Sequence, residues 1–271
     1  MSLSKESIRL ALLTRFMKGQ TQVPQMPEAA MRIRKLLEDP RTSLQQLARV
    51  INSDPPLAAY LMQFADSPLI RGLRPCVSMG DLLARLGTRQ LSSLVLGFTT
   101  RHLFVSKERA LQQACRQRWR RARERAAYAA VLAQRCHYSI DEAMLGGLLQ
   151  DIGSLPLLAE LVHWPDYPRD EEALDDLCEQ LSGDVGALVL VRWQVPPIII
   201  ECARYRNRDP EDHPSESALM DIVQVANALL STPTDPNYCM PAQLRLGLEQ
   251  PLAQLHQELA GEQQLWLRML A

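Results

Sequence analysis

Six arginines fall within eleven positions along Cys115-Arg116-Gln117-Arg118-Trp119-Arg120-Arg121-Ala122-Arg123-Glu124-Arg125. Guanidinium groups present planar forks of N–H donors that match carboxylate and phosphate oxygens. At about 100° per residue, a helix spreads these arginines around most of its circumference. Arg118, Arg121 and Arg125 share one face through spacings of three and four. Trp119, Ala122, Ala126, Ala129 and Ala130 form a neighbouring face that can pack closely on another helix. Six cysteines stand at 76, 115, 136, 178, 202 and 239, with no CxxC pair, so neither a zinc ribbon nor a redox motif is written here. Their scatter suits free thiols in a reducing compartment. Ser78, Ser92 and Ser93 lie near apolar residues without an obvious histidine partner. No Gly-rich nucleotide loop and no GxSxG elbow is present.

The chain of 271 residues is 46% apolar and 23% charged, which is globular composition. Its formal net charge of −1 argues against a generally basic nucleic-acid binder. That total hides an asymmetry. Residues 101–135 carry ten basic and two acidic side chains, net +8, and residues 166–221 carry five basic and fourteen acidic, net −9. Two solvated or mutually attracting faces explain this more simply than a dedicated anion-binding helix. A DNA-reading helix would bring a helix-turn-helix context, which is missing, so no nucleic-acid partner is expected. The apolar stretches at 185–191 and 195–200 fall far short of the roughly 18 residues of a spanning helix. Lys5, Glu6, Arg9, Arg15 and Lys18 interrupt any signal-peptide core. A cytoplasmic protein with no membrane partner is expected.

The elements that must position these residues read as helices almost throughout. Ile8, Leu12 and Phe16 step by four and predict a first helix ending near Gly19. Val23-Pro24-Gln25-Met26-Pro27 is a stiff extended link, since each proline disfavours helix at the residue before it. Ala30, Ile33, Leu36 and Leu37 mark a second helix stopped at Asp39-Pro40. Ser43 caps a third, and Asp54-Pro55-Pro56 opens a fourth. Two further helices are expected around 79–86 and 90–98. No period-two run is long enough for a sheet, so the fold class is all-α.

The stretch Gly147-Leu148-Leu149-Gln150-Asp151-Ile152-Gly153 resembles the "GLLHDIG" run of the HDOD family, HD-related output domains of bacterial signalling proteins. Other pieces follow in the family's order over roughly residues 20–230. Val23-Pro24-Gln25-Met26-Pro27 is similar to its opening proline pair, and Asp54-Pro55-Pro56-Leu57 to its helix start. Phe64-Ala65-Asp66-Ser67-Pro68 resembles its "ANS" turn, with Asp66 for the usual Asn. Ala84-Arg85-Leu86-Gly87 resembles its "A-x-x-LG" segment, one residue shorter. Val185-Gly186-Ala187 and Trp193-Gln194-Val195-Pro196 resemble its "VGA…W-x-LP" stretch.

HD phosphohydrolases hold divalent metals with histidines and aspartates from several helices, and the metal generates hydroxide for attack on phosphorus. The family pattern, laid on this chain, puts the ligand positions at Arg121, Gln150, Asp151, Ser182, Arg206 and Asn207, with a late aspartate of some HD proteins near Asn227. Only Asp151 remains a strong ligand. Arginine has no lone pair to offer and repels a cation. His102, His137, His163, His213 and His256 lie at none of these positions. The resemblance therefore implies no bound metal, no cofactor and no phosphodiesterase activity.

A buried, unpaired Asp151 would be expensive. Either Arg121, Arg206 or both occupy the old metal pocket and pair with it, joined by Gln150 or Asn207, or both arginines reach solvent and Asp151 caps a helix. The tail carries Leu248, Leu252, Leu255 and Leu259 as a helical stripe, then an apolar end at 265–271 expected to fold back on the bundle. The expected whole is a stand-alone, HD-like multi-helix bundle. Residues 1–110 form an N-terminal helical subdomain, 111–235 the degenerate core and 236–271 a helical tail. The resemblance implies a non-catalytic regulatory protein acting on a signalling protein partner. The alternatives are a sensor binding an anionic small molecule through Arg121 and Arg206, and a residual phosphohydrolase.

Overall fold

Helix starts in this chain are fixed by caps and prolines. Ser43 and Gln46 form a reciprocal capping box, in which the Gln46 amide donates to Ser43 Oγ at 3.2 Å and the Ser43 amide to Gln46 Oε1 at 2.7 Å. It opens α3 (Leu44–Asn52). The Leu57 amide donates to Asp54 Oδ1 at 3.1 Å and opens α4 (Pro55–Ala65), with proline in the first turn. Before these come α1 (Lys5–Met17) and α2 (Glu28–Glu38), joined by the proline-rich link. This computed structural model describes residues 5–21, 23–65, 76–104, 108–206, 217–231 and 235–270. Asp66, Ser67, Pro68, Asn207 and His213 lie outside them.

The two helices expected around 79–86 and 90–98 are both present, as the two arms of α5 (Met79–Thr100), separated by non-helical backbone at Gly87. Gly87 has φ 74° and ψ 173°, a region open essentially to glycine alone. Gly87→Ala should lower the unfolding free energy by about 1–3 kcal/mol in a urea titration, with the open space around its Cβ excluding a packing cause.

The longest helix, α6 (Arg109–Arg135), carries the arginine cluster and lies at the centre of the second half. α7 (Ile140–Leu149), α11 (Ala218–Ala228) and α13 (Leu252–Met269) pack on it. α8 (Ser154–Glu160) and α10 (Pro197–Arg204) pack on α9 (Glu171–Arg192), and α1 lies on the same helix. α12 (Pro241–Arg245) lies against α11. α5 joins the halves, touching α2, α3 and α4 on one side and α7 on the other. One hydrophobic core runs from Ile8 to Leu270. The tail folds back as expected, burying Leu255, Leu259, Trp266 and Leu270. The described residues contain no strand, so the fold is an all-α bundle. No helix among them is long and apolar enough to cross a membrane.

Trp193 is a core anchor. It is buried, and its Nε1 donates to Pro24 O at 2.9 Å, tying the proline link to the end of α9. The six cysteines are all free thiols. Burial pushes Cys178 and Cys202 up to about 12, which leaves both protonated and unreactive.

Candidate functional site

Asp151 lies just past the C-terminus of α7 and is only 3% exposed. α7 meets α6 at close quarters because position 147 is glycine. A Cβ there would lie 3.0 Å from Ala126 Cα. That approach sets the Gly147 carbonyl, in the last turn of α7, within reach of α6. Arg125 Nε donates to it at 2.8 Å and satisfies a carbonyl near the helix end. The same guanidinium donates through Nη2 to Asp151 Oδ2 at 2.7 Å and through Nη1 to Asn227 Oδ1 at 3.0 Å. Arg125 is 1% exposed, with every nitrogen of its head engaged.

Arg206 approaches from the far side, beyond α10. Its Nη1 lies 2.7 Å from Asp151 Oδ1 as an ion pair. That contact lacks hydrogen-bond alignment, and Oδ1 has no other donor among the described residues. Nη1 also donates to Ser182 Oγ and, at 3.3 Å, to Cys178 O, while Nη2 pairs with Glu179 at 3.3 Å. A third buried arginine, Arg118, pairs with Asp175 Oδ1 at 2.5 Å and donates to Leu174 O at 3.2 Å. Three guanidiniums thus face three carboxylates, Asp151 at the centre and Asp175 and Glu179 at the solvent edge on α9. Part of the charge asymmetry between the two halves is spent in this α6–α9 contact.

Burial alone would raise the pKa of Asp151. Attraction to Arg206, then Arg125 and Arg118, outweighs it and holds the carboxyl well below the usual range. Burial lowers the Arg125 pKa despite Asp151, but a guanidinium starts so high that it remains charged.

The structure brings Gln150, Asp151, Ser182, Arg206 and Asn227 to one locus. Gln150 does not join the ion cluster; its Nε2 donates to Cys202 O at 3.4 Å. Arg121 corrects the expectation. It is exposed and makes no ion pair among the described residues, and Arg125 takes the place assigned to it. Side chains on a helix lean toward its N-terminus, so the long Arg125 covers the turn before its own Cα. The sequence signal for Arg125 was its position on the face shared with Arg118. Glu179 and Asp175 carried no comparable signal. His137 and His163 are exposed and His256 lies against the Tyr128 ring, so these three stand apart from the cluster.

These residues do not fit a catalytic metal. Each oxygen of the surviving carboxylate already faces a guanidinium, and the neighbouring positions offer an amide, a hydroxyl and a fixed cation. Among the described residues no three His, Cys, Asp or Glu side chains converge as a ligand set. Arg206 is committed to Asp151 and Glu179 and Arg121 is exposed, so the two arginines do not converge here as a free pair for an anion.

A family model described as the HDOD domain matches residues 23–208. A solved structure from Shewanella amazonensis SB2B, named as a candidate metal-dependent phosphohydrolase, superposes with a TM-score of 0.84 at 22% identity, over 98% of this chain and 99% of that one. An HDOD domain protein of unknown function from Geobacter sulfurreducens gives 0.66 at 21% identity, over 97% of each chain. A candidate signal transduction protein from Marinobacter aquaeolei VT8 gives 0.62 at 21% identity, over 97% of this chain and 64% of that one. An uncharacterized protein of Treponema pallidum (strain Nichols) is 23% identical over an alignment of 222 positions that covers 76% of this chain and 41% of that protein. This chain therefore spans less than half the length of that relative.

Proposed function

This chain belongs to the HDOD domain family, and on that footing we propose that it is a signal-transduction protein acting through contacts with a protein partner and not by metal-dependent hydrolysis. One observation carries the reading. The carboxylate that would anchor a metal is clamped by Arg125 and Arg206 instead. A cluster with balanced charge in the core is a structural element, which fixes α6, α7, α9 and the end of α10 relative to one another. What remains for function is the outer surface. The neighbour named for signal transduction agrees with this reading, while the Shewanella neighbour named as a candidate metal-dependent phosphohydrolase shares the fold at 22% identity.

The test is metal content by elemental analysis, with hydrolysis of bis(p-nitrophenyl) phosphate in the presence of Mn²⁺, Fe²⁺, Mg²⁺ or Zn²⁺. Sub-stoichiometric metal and no turnover are expected, together with a specific protein partner retained on the immobilised chain and lost on surface charge reversal. Stoichiometric metal with turnover abolished in Asp151→Asn would overturn the reading.

A further inference from the structure

One cleft lies away from Asp151, where α5 faces α2, α7 and the link between α9 and α10. Its volume is about 450 Å³, inside the range of small-molecule sites. Beyond the bend at Gly87, α5 presents Arg89, Ser92, Ser93 and Leu96 to it. Their spacing of three, four and seven puts all four on one helical face. Ser93 is only 8% exposed as a residue, but its hydroxyl opens to the cleft, and neither it nor that of Ser92 has a hydrogen-bond partner among the described residues. The contrast lies on the same helix. Thr99 and Thr100 satisfy their hydroxyls on the carbonyls of Val95 and Leu96, at 2.8 and 2.6 Å. Arg89 is exposed and has no ion pair among the described residues.

These groups form one donor set at the cleft wall, a cation with two hydroxyls that no protein group among the described residues satisfies. Hydroxyls open at the wall of a cleft are free to donate to a ligand oxygen that arrives there. The floor is apolar, made by Leu96, Leu145, Val195 and Ile199, all buried in the fold. The opposite lip carries Asp141 and Glu142 at the start of α7. Each accepts one side-chain hydrogen bond, from Ser139 and Tyr138, both at 3.1 Å. A carboxylate has capacity for more. Arg34 supports the wall without being free to bind. Its head donates to Trp193 O at 2.6 Å, to Gln194 Oε1 at 2.7 Å and to Glu38 Oε1 at 2.8 Å.

We propose that this cleft binds a small organic anion, with its oxyanion head on Arg89, Ser92 and Ser93, its apolar body on the floor, and N–H donors at its far end toward Asp141 and Glu142. The site is separate from the Asp151 cluster and goes beyond the partner-binding reading, which can fail without touching it.

The test uses 8-anilinonaphthalene-1-sulfonate as a fluorescent aryl anion on the full chain, with circular dichroism confirming that each variant is folded. Saturable binding at one site per chain is expected. Arg89→Glu should weaken it at least tenfold and Ser93→Ala several-fold, while Arg116→Glu, an exposed charge on α6, should leave it unchanged. Adenosine 5′-monophosphate carries head, flat body and amino group, and should displace the probe. Adenosine and inorganic phosphate at the same concentration should not. No saturable binding, wild-type affinity in Arg89→Glu, or equal displacement by adenosine would each overturn the proposal.

Discussion

Asp151→Ala is expected to lower the unfolding free energy by about 3–5 kcal/mol, the usual cost of leaving buried charge without its partner. The deletion strands Arg125 and Arg206, which are 1% and 9% exposed. Neither can turn to water without leaving its other partners, Gly147 O and Asn227 for Arg125, Ser182 and Glu179 for Arg206. Against a typical total of about 5–15 kcal/mol, that is a large fraction of the stability. The measurement is urea unfolding followed by circular dichroism. Asp151→Leu combined with Arg125→Met and Arg206→Met should recover most of the loss, because a fully apolar replacement leaves no charge to pair. A cost below about 1 kcal/mol for Asp151→Ala would mean that the clamp does not hold these helices together.

The same cluster predicts an acid limb. The Asp151 carboxyl is held below its ordinary value in the folded state by Arg206 and Arg125, against the opposing effect of burial. Its contribution is therefore fully present above the unfolded carboxyl pKa of about 3.9 and is lost as the pH falls from there toward the folded value. Wild type should lose stability over that window, and the triple apolar variant should show a flatter profile.

Gly153→Val is expected to cost at least about 3 kcal/mol, at the upper end of overpacking effects, or to prevent folding. A Cβ at position 153 would sit 2.1 Å from Ser182 O and 2.3 Å from the Gly186 amide nitrogen. Both obstacles are backbone atoms of α9, so no rotamer change relieves them and the helix itself must move. That movement would also displace Ser182 from Arg206. Gly261, on α13 with nothing within 4 Å of its Cβ, is the control. Gly261→Ala should be neutral or stabilising by about 0.5–1 kcal/mol, as glycine lowers the entropy cost of folding when it is replaced in an open helix.

Much of the fold was legible because it is set by local chemistry. Ser43, Asp54, Pro55 and the 23–27 link act on backbone groups within a few residues, so their effects follow from spacing alone. The break at Gly87 was legible as the gap between two helices, since glycine there frees the backbone for the φ of 74° that separates them. How the two arms lie against α2 and α7 was not, because no local signal encodes that packing. The residue types at the positions where the family resemblance places metal ligands were legible for a similar reason. Ligand strength belongs to residue type, and arginine, glutamine and serine stand where nitrogen and oxygen ligands would be required.

The choice between Arg121 and Arg125 was not legible. Both lie on one side of α6, and a single turn separates them. Burial decides between them, and burial depends on where α7 and α11 lie, hence on Gly147 and Asn227 far along the chain. The cleft is a stronger case of the same kind. Ser92 and Ser93 read as serines without a partner, and their setting appears only when Met26, Leu145 and Ile199 arrive from three other segments. The sequence by itself determined the helices, the family resemblance and the broken ligand set, because these rest on neighbours in the chain or on the nature of one side chain. Tertiary structure alone decided which arginines neutralise Asp151 and where a ligand-sized space remains, because desolvation and pairing depend on groups that the chain brings together only by folding.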